Sequence, residues 1–270
     1  MDMLLTCVQN FCYHIRIPPN QTKNMESKTL ILKCWGPYAC FSQPISRVER
    51  FTYPLPNPSA IRGIFSAVYS KPVEFWWQPV KVEVLNPVQY IALRRNEVKD
   101  KTPIPTPKKM TEGGEVFPIV ADADSALLGN DQKGRTQRQT MALKDVAYRL
   151  HAKIIPQPGF AGQLPAFEAQ FERRAGKGKN FVQPSLGQRE FAAYYELVDD
   201  LASVQSAEPA VESFSRDLGL MVYDVFDLSV QNPSGEGKPF ISLFKAVVKN
   251  GIMEIPPFGS ADVIKPERKI

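Results

Sequence analysis

Residues 35–72 read WGPYACFSQPISRVERFTYPLPNPSAIRGIFSAVYSKP. The run before them, residues 29–34, is strand-like, and Gly36-Pro37 is expected to break it. At the far end the start signals of a helix are complete. Asn57 can cap, Pro58 fits the first helical position and Ser59 follows. Ile61, Ile64, Phe65 and Val68 then recur at i, i+3, i+4 and i+7, so the spacing predicts a helix over residues 58–70 with one apolar stripe for a sheet to cover. Arg62, Ser66, Tyr69 and Ser70 lie off that stripe. Pro72 stops the helix and leaves Tyr69 and Lys71 at its mouth, with side chains expected to be free.

Reading outward, residues 73–85 are aromatic and β-branched, a strand in which Pro79 argues for an edge or a bulge. Residues 88–98 read as another strand, carrying Arg94 and Arg95 near its end. Residues 99–135, rich in Pro, Gly, Lys and Asp, lack periodicity and are long for a loop, which points to a functional or partner-ordered insertion. Residues 140–155 place Val146, Tyr148, Leu150 and Ala152 on one face of an expected half-buried strand. Residues 164–175 predict a helix with Phe167, Phe171 and Ala175 on one face, and residues 189–198 a further strand. The order β-α-β-β, insertion, β-α-β is that of an α+β, ferredoxin-like (RRM-like) domain over residues 26–200. Residues 1–25 read as an extension. After a polar connection at 201–216, strands over 218–228 and 240–255 predict a smaller β-rich C-terminal lobe, residues 201–270.

Composition bounds the function classes. The 270 residues are 43% hydrophobic and 23% charged, ordinary for a globular protein with a real core, and 24 prolines favour short strands and loops over a helical bundle. A net charge of +5 permits an anionic partner without requiring one. Cys7, Cys12, Cys34 and Cys40 show no CxxC spacing, so no metal site, no cofactor and no disulfide scaffold is expected, and a reduced, cytoplasmic setting fits. No apolar run approaches the roughly 18 residues of a membrane span.

Arginines cluster at the ends of the expected elements: Arg47 and Arg50, Arg94 and Arg95, Arg138, Arg173 and Arg174, and Arg189. Guanidinium groups grip phosphates bidentately and stack on bases, so this set, with Lys71, Lys177 and Lys179, reads as an RNA surface. The plain alternative is solvated charge, paired in part with Glu49, Glu97, Glu172 or Glu190. Residues 175–187 hold three glycines and two lysines, in an order that is not a P-loop. They form either a flexible connector or a loop whose backbone approaches phosphates.

Several ordered motifs carry a family resemblance. They are Trp35-Gly-x-Tyr-Ala-x-Phe41, Val48-Glu-Arg-x-x-Tyr53, Pro58-Ser-Ala-x-x-Gly63 and Tyr69-x-Lys-Pro72, followed by Leu93-Arg-Arg-Asn-Glu-Val98, Gln137-Arg138, Leu143-Lys-Asp-Val-Ala-Tyr148 and Leu186-Gly-Gln-Arg-Glu-Phe191. Together they resemble the Cas-five proteins (RAMP superfamily) of subtype I-C CRISPR systems. The resemblance implies an antiviral-defence subunit of a Cascade complex that binds the 5′ handle of CRISPR RNA and cleaves its precursor. Its implied partners are that crRNA, the Cascade backbone and large subunits, and target DNA through the assembled complex. Tyr69 falls at the family's catalytic tyrosine, in a metal-independent reaction where the 2′-OH attacks the adjacent phosphate. The family's Lys-His pair falls on Ala166 and Phe167, neither of which can move a proton. The remaining histidines are His14, in the extension, and His151, expected to be structural. Two outcomes therefore stand: a ribonuclease with a rearranged site, or a non-catalytic cap or protein-binding scaffold. A metal-dependent nuclease would have to use Asp122 and Asp124 or Asp199 and Asp200, both in loop-like sequence.

Overall fold

The structure, a computed structural model, describes residues 26–46, 49–98, 105–114, 135–230 and 239–266. The extension at 1–25, Arg47 and most of the insertion lie outside the described residues. Among these residues ten strands form one sheet: β1 (Leu30–Ala39), β2 (Arg50–Phe51), β3 (Phe75–Val84), β4 (Gln89–Val98), β5 (Arg135–Pro156), β6 (Tyr194–Leu197), β7 (Arg216–Asp224), β8 (Ser242–Lys249), β9 (Ile252–Glu254) and β10 (Val263–Ile264). The α-helices among the described residues are α1 (Pro58–Val68), α2 (Pro105–Thr111), α3 (Leu164–Ala175) and α4 (Leu201–Ala207). The sheet runs β10-β8-β9-β3-β5-β1-β6, with β2 and β4 on the long β5 and β7 on β8. The C-terminal strands join the rest through β9, which pairs antiparallel with β3.

Helix α1 forms as its spacing predicts. The Asn57 side chain accepts from Ala60 N, Pro58 opens the helix, and Pro58, Ile61, Ile64, Phe65 and Val68 are buried. Removing each large side chain of that stripe from water is worth about 1.5–3 kcal/mol. Helix α3 buries Leu164, Phe167, Phe171 and Ala175 beside it. The two helices meet over β3: Phe65 lies 5.4 Å from Phe171, and Trp77 lies 4.9 Å from Phe65 and 4.7 Å from Phe171, centroid to centroid. This aromatic cluster fixes the angle between the helices, and with it everything displayed at their ends.

Several boundaries differ from expectation, each for a physical reason. Gly36-Pro37 does not break β1, which pairs with β5 as far as Ala39. A Cβ on Gly36 would lie 2.8 Å from Leu186 Cδ1, so glycine serves close packing there. Pro37 has no register partner on β5, and β6 extends only to Trp35, so the missing N–H costs no ladder bond. Pro79 marks a bulge in the β3–β5 pairing, in an interior strand. Strand β5 is not half-buried at its centre: Ala147, Arg149 and His151 on the second face are buried too. The expected strand at 189–198 shrinks to β6, and the connection at 201–216 contains α4, whose first turn is capped by Asp200.

Arg149 explains that second face. Its guanidinium pairs with Glu83, and Nη2 donates to the C-terminal carbonyl of Glu208 at 2.9 Å, tying α4 across the sheet. Gln205 Nε2 donates to Glu83 Oε1 at 3.0 Å. On the helix side, Arg62 clasps the buried Asp224 of β7 through two bonds of 2.6 and 3.0 Å.

Candidate nucleic-acid interface

The last carbonyls of a helix have no intrahelical partner. At the end of α1 three different segments supply one each. Phe181 N donates to Ala67 O at 2.7 Å, Arg174 Nε to Val68 O at 2.7 Å, and Trp77 Nε1 to Tyr69 O at 2.8 Å. The sequence therefore folds so that α1, the end of α3, the loop after it and β3 all converge on Tyr69.

The helix ends at Val68, and Tyr69 is extended (φ −151°, ψ 125°), which turns its side chain back beneath the helix end. Tyr69 is only 4% exposed, 5.3 Å from Phe75 and 6.4 Å from Phe181 between ring centroids. The expectation of free side chains is corrected for both: Tyr69 is buried, and Lys71, though exposed, pairs with Glu74 at 2.8 Å. Burial pushes the Tyr69 phenol up, and the opposing pull of Lys71 and Arg174 is smaller. The hydroxyl makes no hydrogen bond among the described residues. At neutral pH it is a proton and hydrogen-bond donor, not a base.

Arg174 lies with Cζ 3.9 Å from the ring centroid of Phe181. The backbone N–H groups of Lys177 and Lys179 donate to Arg174 O at 3.1 and 2.9 Å, which holds both exposed lysines beside it. Arg173, on the last turn of α3, is exposed and reaches Gln170. At the other end of α3, Ala166 is exposed and Phe167 packs 5.0 Å from Phe75, a core position.

A groove of about 690 Å³ runs along the outer face of α1. Its helical wall is small and polar (Ser59, Gly63, Ser66, Ser70), and its other wall is the segment from Val182 to Arg189. That segment is fixed to the end of β1, because Cys40 N donates to Leu186 O at 2.9 Å and Gln188 N to Cys40 O at 3.2 Å. Gly187 has φ +88°, and a Cβ there would lie 2.0 Å from Cys40 O. Only glycine closes this wall.

One end of the groove adjoins Tyr69, Lys71 and Phe181 through Ser70 and Val182. The other carries the exposed Arg189 and neighbours the second arginine cluster. There Arg50 pairs with Glu97, Arg138 Nη1 lies 3.4 Å from Glu97 Oε2, and Arg95 pairs with Glu190 at 2.5 Å. Arg94 and Arg189 are exposed, with no ion-pair partner among the described residues. The expected single arginine surface thus divides into two groups joined by the groove.

The remaining candidates lie elsewhere. His151 is buried, its Nε2 3.0 Å from Glu83 Oε1. Burial pulls its pKa down, with Glu83 opposing. Asp200 is a helix cap, whereas His14, Asp122 and Asp124 lie outside the described residues. Among the described residues no group of three or more His, Cys, Asp or Glu is placed to hold a metal ion, and no helix is long and apolar enough to cross a membrane. Phe181, which the structure places beside Tyr69 and Arg174, was not among the residues that the sequence singled out. The signal was present: an aromatic residue inside a Gly/Lys-rich loop has no helix or strand stripe to join.

A family model described as CRISPR-associated protein (Cas_Cas5) matches residues 29–256. A protein named CRISPR pre-crRNA endoribonuclease Cas5d from Mannheimia succiniciproducens is 35% identical over 234 residues, covering 86% of this chain and 96% of the relative. A protein of the same name from Thermus thermophilus is 35% identical over 238 residues, covering 84% and 91%. Among solved structures, one described as a CRISPR-associated protein superposes with TM-score 0.57 at 19% identity, covering 88% of this chain and 97% of that one. A functionally uncharacterized Streptococcus mutans protein gives 0.56 at 20%, with the same coverage. These two likenesses show the fold, an α+β architecture with a large antiparallel sheet.

Proposed function

The chain belongs to the CRISPR-associated Cas5 family, and we propose that it is a crRNA-processing Cascade subunit that grips the 5′ handle and cleaves the precursor by metal-independent 2′-OH attack. The observation that carries this reading is the groove along α1. It links the Tyr69–Lys71–Arg174 end to Arg189 and the arginines of the β4–β5 hairpin. Its small-residue wall lets a sugar-phosphate backbone approach closely, and cations at both ends match the anionic chain.

In the reaction, a ribose 2′-hydroxyl gives its proton to water, its oxygen forms a bond to the adjacent phosphorus and the bond to the 5′-oxygen breaks, leaving a cyclic phosphate and a 5′-hydroxyl, and water returns the proton to the phenolate left on Tyr69. Tyr69, kept protonated by its burial, donates to the departing 5′-oxygen. Lys71 and Arg174 stabilise the charge developing on the phosphorane, with Lys177 and Lys179 at the loop beyond. Arg47, Arg50, Arg94, Arg95, Arg138, Arg173 and Arg189 hold the flanking RNA. The order β3-β5-β1-β6, with α1 and α3 on one face, supports a ferredoxin-like domain over residues 26–200, and residues 201–270 form a C-terminal lobe that extends its sheet. Ile45, Phe51, Tyr90 and Leu220 expose apolar surface around a recess of about 560 Å³, a surface suited to a neighbouring Cascade subunit.

One observation favours a second reading, a non-catalytic cap. The positions of the family's Lys-His pair are Ala166 and a core phenylalanine. Handle binding is the test common to both readings. A labelled repeat RNA at physiological salt should bind far more tightly than a scrambled RNA of equal length. Equal affinities that collapse together with added salt would defeat both.

A further inference from the structure

Phe181 is 59% exposed, and its neighbour Val182 is 54% exposed. Single exposed apolar side chains are common on protein surfaces. This one is held in place: its backbone N–H is bonded to Ala67 O at 2.7 Å, the Arg174 guanidinium lies 3.9 Å from its ring centroid, and the Tyr69 ring is inclined at only 27° to it. Arg174 is itself immobilised by its bond to Val68 O. The guanidinium of the half-buried Arg174 thus backs the phenyl ring, which is held exposed next to the tyrosine and immediately before the groove-lining Val182. Flat, pre-ordered π surfaces beside cations are what an unpaired nucleobase stacks on, and the stacking tolerates any base.

Resting on the RNA-binding function proposed above, we propose that Phe181 and Arg174 form a stacking platform for one unpaired nucleobase next to the phosphate at Tyr69. Phe181 is then a positioning residue. The stacked base fixes the register of the RNA, so that a single phosphate reaches Tyr69. Arg174 has a double part, completing the platform and presenting charge to the backbone. The loop lysines add affinity without register.

The test uses the full chain and a synthetic single-stranded RNA of the CRISPR repeat, with 2-aminopurine placed at successive positions. Wild type should quench the probe at one position, and Phe181→Ala should abolish that quenching while weakening binding about tenfold. Phe181→Trp should restore both, and Phe181→Leu, which keeps apolar bulk without a π face, should not. An abasic site at the same position should erase the difference between wild type and Phe181→Ala. Quenching unchanged in Phe181→Ala, a Leu variant equal to wild type, or an affinity loss equal at every abasic position would overturn the platform. Failure of wild type itself to prefer the repeat over a scrambled RNA would overturn the RNA-binding function as well, which separates the two failures.

Discussion

Arg174 bridges two parts of the chain: its Nε donates to Val68 O at 2.7 Å while its Cζ lies 3.9 Å from the Phe181 ring centroid. One residue of α3 thereby closes the end of α1 and fixes the loop that follows α3. Tyr69 is enclosed where the three meet.

Arg174→Ala should therefore act on two quantities at once. Removing the partner of a helix-terminal carbonyl costs about 1 kcal/mol of stability. Losing one phosphate contact should flatten the dependence of log affinity on log salt by about 0.7 for single-stranded RNA. Arg50→Ala, whose charge is paired with Glu97, should change that slope less. Binding titrations across a salt series measure both.

Tyr69→Phe should leave folding and RNA affinity nearly unchanged, because the hydroxyl has no hydrogen-bond partner among the described residues. Burial raises the phenol pKa above its usual value of about 10, so the donor form persists throughout neutral and mildly basic solution. The cleavage rate should consequently show no decline attributable to Tyr69 between about pH 7 and 10. A basic limb in the pH–rate profile below that, lost in the phenylalanine variant, would contradict the role of donor.

Gly187→Ala should destabilise the chain by about 2–4 kcal/mol, since the residue has φ +88° and a Cβ would meet the Cys40 carbonyl. The wall of the groove would shift with it. Denaturant melts read the first effect, and weakened handle binding in the surviving folded fraction reads the second.

Acid should unfold the protein through the second face of the sheet. Burial alone would raise the Glu83 carboxyl, but His151, Lys81 and Arg149 outweigh it and hold it far below the usual carboxylate range. Its stabilisation is present above the unfolded pKa of about 4.5 and is lost as pH falls through the depressed folded value. His151 is also depressed, mainly by burial, so the unfolded chain takes up its proton first, and stability falls below about pH 6.5. Both push the same way: His151 should lower the melting temperature between pH 7 and 5, and Glu83 should lower it further below about pH 4.5. Glu83→Gln leaves Arg149 buried without its anion, which should cost about 3–5 kcal/mol at neutral pH.

The elements nearest the site were legible because each has a local cause. Asn57-Pro58 and the Ile61–Val68 stripe dictate α1, and Phe167, Phe171 and Ala175 dictate the buried face of α3. The departures arise from contacts distant in sequence. Gly36-Pro37 looks like a break until Leu186 is packed against it. The buried Arg149 gives no sign in sequence that Glu83 and α4 will cover it. Tyr69 reads as free because Arg174 and Phe181, more than a hundred positions later, join Phe75 in enclosing it. The family motifs reached Tyr69, but the tertiary fold brings in Phe181 and splits the arginines into two groups.

The most direct measurement is cleavage of a labelled precursor repeat RNA in EDTA by wild type and by Tyr69→Phe. A single cut by wild type, giving a 5′-hydroxyl product and lost by at least a hundredfold in the variant with RNA affinity retained, is the predicted result. Handle-specific binding with no cut by either protein would contradict the catalytic account and leave a structural cap.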